Sequence, residues 1–157
     1  VGPDRGVLVD SVSYSFNEYL DAFISEPGIK KRINFLGHCG TDEISVLRKS
    51  ASVTLMPSRY DNFPMSLLES VAVGSPVVAA SVGGMKEIII DEFNGLLAIS
   101  ESAESMAEKL LQLLDDPEKM QRLSKNAIKD SQDRFSPEVV ARQTEMFYRQ
   151  ILDKNFL

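Results

Sequence analysis

Four short apolar runs recur at intervals of about twenty residues, each followed by a helix-like segment, and this rhythm constrains the fold more than any other feature. The runs are Arg32-Ile33-Asn34-Phe35-Leu36-Gly37, Ser52-Val53-Thr54-Leu55-Met56-Pro57, Pro76-Val77-Val78-Ala79-Ala80 and Gly95-Leu96-Leu97-Ala98-Ile99. Between them, helices are predicted over Asp42–Ser50, with Ile44 and Leu47 on one side, over Pro64–Val73 and over Met85–Ile90. Alternation of this kind is the pattern of βαβ units, which place their strands in a parallel sheet. Val77-Val78-Ala79-Ala80 shows no apolar–polar alternation, as expected of a strand covered on both faces. The fold class is therefore α/β, with a doubly wound parallel sheet and extra C-terminal helices.

The rest of the chain reads as helical. Ala103, Met106, Ala107, Leu110, Leu111 and Leu114 fall at helical spacing and form one stripe, read as core. Asp116-Pro117 ends that helix and starts another, since proline is tolerated in a first turn. Ser136-Pro137-Glu138 marks a terminal helix over 136–154, carrying Val140, Phe147 and Ile151 on one face. The tail from Asp153 to Leu157 is expected to fray.

Composition serves mainly to exclude. A length of 157 residues suits one domain. No apolar run reaches the roughly 20 residues of a membrane span. Val1 to Gly6 does not have the basic start of a signal peptide. Cys39 has no internal disulfide partner, which fits a reducing, cytoplasmic setting. One His and one Cys cannot build a zinc site of nitrogen and sulfur ligands. A net charge of −6 argues against nucleic acid as a partner. It does not argue against a nucleotide, which backbone N–H groups at a helix end can hold.

The chemistry concentrates between Pro57 and Leu97. The strand at Ser52–Met56 leads through a loop into the helix near Pro64, on the side where open α/β sheets bind ligands. The start of that helix favours an anion such as a diphosphate. Pro64 has no N–H to donate, so Phe63, Met65 and Ser66 supply the donors. Glu69 lies five residues after Pro64, about 7.5 Å along the axis. It shares a stripe with Ser66 and Val73, while Leu67, Leu68 and Val71 face the sheet. A carboxylate at that distance can accept two short bonds from a ribose diol. Asp61, in the preceding loop, can do the same for a sugar beyond the phosphates.

The spacing Asp61-x7-Glu69 resembles the E-x7-E motif of family 4 glycosyltransferases. Pro57-Ser58, Asn62-Phe63-Pro64, Leu68-Glu69-Ser70, Gly74-Ser75-Pro76-Val77-Val78, Gly83-Gly84 with Glu87, and Asn94-Gly95-Leu96-Leu97 match the same family in order and interval. Upstream, Val1-Gly2-Pro3-Asp4 is similar to its "VGDGP" turn and Arg32–Gly37 to its "V-x-F-L-G" strand. The resemblance covers nearly the whole chain. It implies the Rossmann-like C-terminal half of a GT-B enzyme, a single nucleotide-sugar-binding domain over 1–157 that lacks its first strand–helix unit.

The resemblance also assigns roles. Glu69 is expected to bind the donor ribose, and Asp61, the catalytic-site carboxylate, to contact the transferred sugar. Backbone groups of Asn62, Phe63, Pro64 and Met65, with Ser66, are expected at the sugar or diphosphate, and Gly37, His38, Cys39 and Gly40 near the nucleobase. The implied reaction is retaining transfer of a hexosyl group from a UDP- or GDP-sugar to a glycan, lipid or small acceptor, with no metal or cofactor. The implied partners are the nucleotide sugar and an acceptor held by another domain, with peripheral membrane association of the whole enzyme. A non-catalytic nucleotide-sugar-binding module is the alternative.

Two departures from the pattern stand out. Asp61 is one methylene shorter than the family's glutamate, and the family's "G-R-x…K" segment, which neutralises the donor diphosphate, is absent. The isolated chain is accordingly expected to be inactive. Structural readings accompany the functional ones: Glu69 as a solvated helix residue, Asp61 as a loop or capping residue, Gly83-Gly84 as backbone-conformation residues, and Glu87 as a helix-start carboxylate. His38, the only histidine, is read as a neighbour of the base rather than an acid or base, and Cys39 as passive. The closing helix is expected to leave Phe147 and Tyr148 exposed.

Overall fold

Residues 7–14 form a hairpin that sequence patterning did not reveal. In the computed structural model, which describes residues 6–24, 26 and 28–154, the chain divides into two units, Val1–Ile44 and Ser45–Leu157. The turn read at Val1–Asp4 and the last three residues of the tail lie outside the described residues, whereas Asp153 and Lys154, expected to fray, continue the last helix.

In the first unit, β1 (Val7–Val9) and β2 (Val12–Tyr14) form an antiparallel hairpin with Val9 opposite Val12. Asp10 and Ser11 both take positive φ (47° and 67°), the two-residue turn whose twist matches its strands. Helix α1 (Phe16–Phe23) starts at a capping box, in which the Ser15 hydroxyl accepts from the Glu18 N–H and Glu18 accepts from the Ser15 N–H. Its aromatic residues pack on their neighbours, with Phe16 4.9 Å from Phe35 and Tyr19 4.9 Å from Phe23 between ring centroids. The strand predicted at Arg32–Gly37 does not form. Lys30–Arg32 make a 3₁₀ turn, and the residues after it join no ladder among the described residues. A strand needs a neighbour to take its N–H and C=O groups, and the described residues place none beside this segment.

Helix α2 (Thr41–Ser50) runs from the first unit into the second. The second unit then alternates β3 (Thr54–Met56), α3 (Met65–Ala72), β4 (Val77–Ala80), α4 (Met85–Ile88) and β5 (Leu96–Ala98). The three strands form a parallel sheet in the order β3-β4-β5, with Leu55 opposite Val78 and Ala79 opposite Leu97. The central strand β4 is buried throughout, and its side chains sort by period two into two layers. Val77 and Ala79 pack with Leu67, Val71, Met85, Ile88 and Ile89 on one face, and Val78 packs with Leu96, Leu113 and Leu123 on the other. Strand β4 is thus covered on both sides, as its unbroken apolar run predicts.

Three helices complete the unit: α5 (Ala103–Leu114), α6 (Pro117–Phe135) and α7 (Pro137–Lys154). Ser102 and Asp116 cap α5 and α6 by accepting from the N–H groups of Ser105 and Lys119. The reading of the α5 stripe as core holds only in part: Met106 packs against the buried cluster of Val78, Leu96 and Leu113, but most of the stripe does not. Leu113 and Ser105 are the residues that α5 buries, whereas Leu111 and Leu114 are 56% and 45% exposed. Ala103, Met106, Ala107 and Leu110 also line an open groove of about 410 Å³ with Leu55, Pro57, Ala80 and Ile99. Periodicity identifies an apolar flank but not which edge of it meets the sheet. On α7, Phe147 and Tyr148 are 59% and 61% exposed, as expected for the closing helix.

The turn before β5 holds a small polar cluster. Glu92 has positive φ (64°), and its carboxylate pairs with Lys119 at 2.6 Å and approaches Lys109 at 3.8 Å. The Lys119 hydrogen bond, helped by the charges of both lysines and opposed by desolvation, holds the Glu92 carboxyl below the ordinary glutamate value. A depressed folded value adds stability above the unfolded value, and that stability is lost as pH falls through the folded one. Glu92→Gln should therefore show a smaller drop in urea midpoint than the parent chain between about pH 7 and about pH 3. Equal drops in the two proteins would remove this carboxylate from the acid response.

Candidate functional site

The loop from β3 to α3 is where the sheet's carboxyl edge meets a helix start. Pro64, buried, is the N-cap of α3 and offers no side-chain cap, so the N–H groups of Met65 and Ser66 lack a carbonyl one turn earlier. Both residues are exposed, leaving the positive end of the helix open to an anion. Burial of Leu67 and Val71 turns Ser66 and Glu69 outward, which is the predicted split of the helix.

The loop itself is held by main-chain contacts. The Gly84 N–H donates to the Asp61 carbonyl at 3.0 Å. A Cβ on Gly84 would lie 1.7 Å from the Asn62 carbonyl oxygen, and one on Gly83 2.0 Å from the Asp61 oxygen. Gly83 also has positive φ (44°), so both glycines are required by backbone geometry. Asp61 is partly covered, and Asn62 is exposed and accepts from the Tyr60 hydroxyl at 2.7 Å. The Phe63 ring packs edge-on against Phe135 of α6 at 5.9 Å. The Arg134 guanidinium lies 4.5 Å over the same Phe135 ring and donates to the Glu87 carbonyl and, at 2.8 Å, to Asp130. Glu87 thus enters this network through its main chain.

Glu69 is 48% exposed at its side chain, and its Oε2 accepts from Arg48 Nη1 of α2 at 2.5 Å. The Arg48 side chain is 16% exposed. Asp61, Asn62, Phe63, Pro64, Met65, Ser66 and Glu69 all lie on the loop and α3 of the second unit. Gly37, His38, Cys39 and Gly40 belong to the first unit. There His38 is exposed, and Gly40 donates its N–H to Glu43 at 2.9 Å.

The family described as Glycosyl transferases group 1 matches this chain over residues 7–130. The chain belongs to that family. An uncharacterized glycosyltransferase of Methanocaldococcus jannaschii is 34% identical to this group 1 chain over 142 residues, covering 90% of the chain and 36% of the relative. Among solved structures, sucrose-phosphate synthase from Thermosynechococcus elongatus aligns with a TM-score of 0.77 and 29% identity, covering 95% of this chain and 38% of that one. The Anabaena protein HepE in complex with UDP aligns with a TM-score of 0.78 and 24% identity, over 86% of this chain and 37% of that one. The fold is GT-B, with the Rossmann-like α/β organisation expected. The chain spans about a third to a half of the length of the curated relatives it matches.

Within the group 1 domain, two features escaped the sequence reading. Arg48 lies 21 residues before its partner, on a helix whose sequence singles out only Ile44 and Leu47. The Phe63–Phe135 contact joins residues 72 positions apart, so no local pattern reports it.

Proposed function

We propose that this chain is the donor-binding domain of a retaining glycosyltransferase that moves a hexosyl group from a UDP- or GDP-sugar to a glycan or lipid acceptor, without a metal or cofactor. The observation that carries the reading is the layout of α3. An uncapped helix start opens to solvent, and an accessible carboxylate, Glu69, lies on the same outward stripe about one and a half turns along. In this reading the N–H groups of Met65 and Ser66 receive the diphosphate, Glu69 accepts from the ribose hydroxyls, and Asp61 meets the sugar. HepE shares the fold and was captured with UDP, which supports a nucleotide ligand here.

Electrostatic stabilisation of the departing diphosphate usually contributes more than any other effect in such a transfer. Helix α3 supplies part of it through fixed dipoles. Calorimetric titration of the chain with UDP and with GDP tests the binding half of the proposal. Glu69→Ala should weaken the nucleotide that binds by about 10- to 100-fold, the effect of losing charge-assisted hydrogen bonds to a diol. Unchanged affinity in that variant would return Glu69 to the status of a solvated helix residue.

A further inference from the structure

We propose that Arg48 is a positioning residue for the donor nucleotide, fixing the Glu69 carboxylate so that one oxygen is held and the other presented to the ribose. The inference rests on the reading of Glu69 as the ribose ligand and adds a residue from a different helix to the same site.

The geometry is asymmetric. Arg48, in the last turn of α2, is largely covered, yet it directs its bond to a carboxylate that is about half exposed. The bond uses Oε2 at 2.5 Å, and Oε1 has no partner among the described residues. Lys119 and Glu92 have a similar pattern of exposure, but there both carboxylate oxygens are engaged, by Lys119 on one side and by Lys109 and Gln112 on the other. Arg149–Glu145 and Lys30–Asp21 leave both partners open to water, where ion pairs contribute little. The Arg48–Glu69 pair combines a covered cation with an anchored carboxylate that keeps one oxygen free to accept.

A glutamate on a helix surface samples many rotamers and loses that freedom when it grips a ligand. An arginine already bonded to it takes up that ordering during folding, so that ligand binding no longer bears it. A carboxylate also has about four lone-pair sites, so one guanidinium bond leaves acceptor capacity for a vicinal diol. Arginine suits the task because its planar fork holds direction, which an ammonium on a flexible stem does not.

The consequence is specific to the ribose hydroxyls. Calorimetry on the chain would compare UDP with 2′-deoxy-UDP, and GDP with 2′-deoxy-GDP, in the parent chain and in Arg48→Ala, Arg48→Lys, Glu69→Ala and the Arg48→Ala/Glu69→Ala pair, with circular dichroism to check folding. Arg48→Ala should weaken the ribonucleotide about three- to tenfold while leaving the deoxy form nearly unchanged, with partial rescue in Arg48→Lys. In the Glu69→Ala background the Arg48 substitution should add nothing, because its target is gone. Equal weakening of ribo and deoxy forms would show Arg48 acting on the phosphates or on folding, and would overturn the positioning role. Should Arg48→Ala lose its fold, Arg48→Met serves instead: it keeps the covered stem, removes the charge, and should narrow the ribo–deoxy gap in the same way. If Glu69→Ala abolishes the discrimination but Arg48→Ala does not, the positioning role falls and the nucleotide reading stands. If neither UDP nor GDP binds the parent chain, both fall together.

Discussion

Gly84→Ala should destabilise the second unit by about 3 kcal/mol or more and remove nucleotide binding with it. The added methyl would sit 1.7 Å from the Asn62 carbonyl oxygen, 2.7 Å from its carbon and 3.0 Å from Phe63 Cα, all of them backbone atoms that no rotamer change can move aside. The loop must retreat, breaking the Gly84 N–H bond to the Asp61 carbonyl, or the start of α4 must shift against the buried Met85 and Ile88. Urea denaturation and UDP or GDP titration read the two effects. For stability alone, Gly40→Ala is the matched control, since its added methyl meets nothing closer than the Glu43 carboxylate at 3.8 Å. A Gly84→Ala chain as stable as that control would show that the loop is not clamped by α4.

Asn94→Leu should cost about 3 kcal/mol, seen as a fall in Tm on the order of 10 °C for a chain of this size. Asn94 is 1% exposed, and its amide is engaged at both ends: Oδ1 accepts from the Ile90 N–H at 2.8 Å, and Nδ2 donates to the Ile88 carbonyl at 3.0 Å and to Asp130 at 2.8 Å. Leucine fills a similar volume but orphans a main-chain donor and a main-chain acceptor away from water, each costing roughly 1–3 kcal/mol. Asp130 keeps Arg134, so the penalty falls chiefly on the main-chain groups of the turn. A Tm within a degree or two of the parent's would mean that the turn can rewet without loss.

How far the sequence reveals this fold depends on the range of the interactions involved. The sheet, the two faces of α3 and the outward position of Glu69 were legible because period two and period 3.6 are local, and burial of Leu67 and Val71 fixes the rest of that helix. The ordered series from Pro57 to Leu97 also made the family legible, since residues 7–130 match it. The β1–β2 hairpin was missed because its turn is Asp10-Ser11, without the glycine that usually marks two successive positive φ values. The segment at Arg32–Gly37 has strand composition, but strand identity belongs to a pair and not to a run. The α5 flank was misjudged because its apolar arc is wider than its contact, and only Leu113 and Ser105 are buried along it. Asn94 was recognised as part of a motif, but its reason, three bonds within the turn and across to α6, required coordinates.

The path of the Asp61–Phe63 loop is set chiefly by carbonyl oxygens and two glycines, the Asn62 side chain bonding only its near neighbour Tyr60. Any residue without a φ preference of its own can therefore occupy these two positions while the chain follows the same course. On the proposed donor-binding reading, exchange at positions 61 and 62 alters the surface offered to a ligand without renegotiating stability, while Gly83 and Gly84 stay immovable.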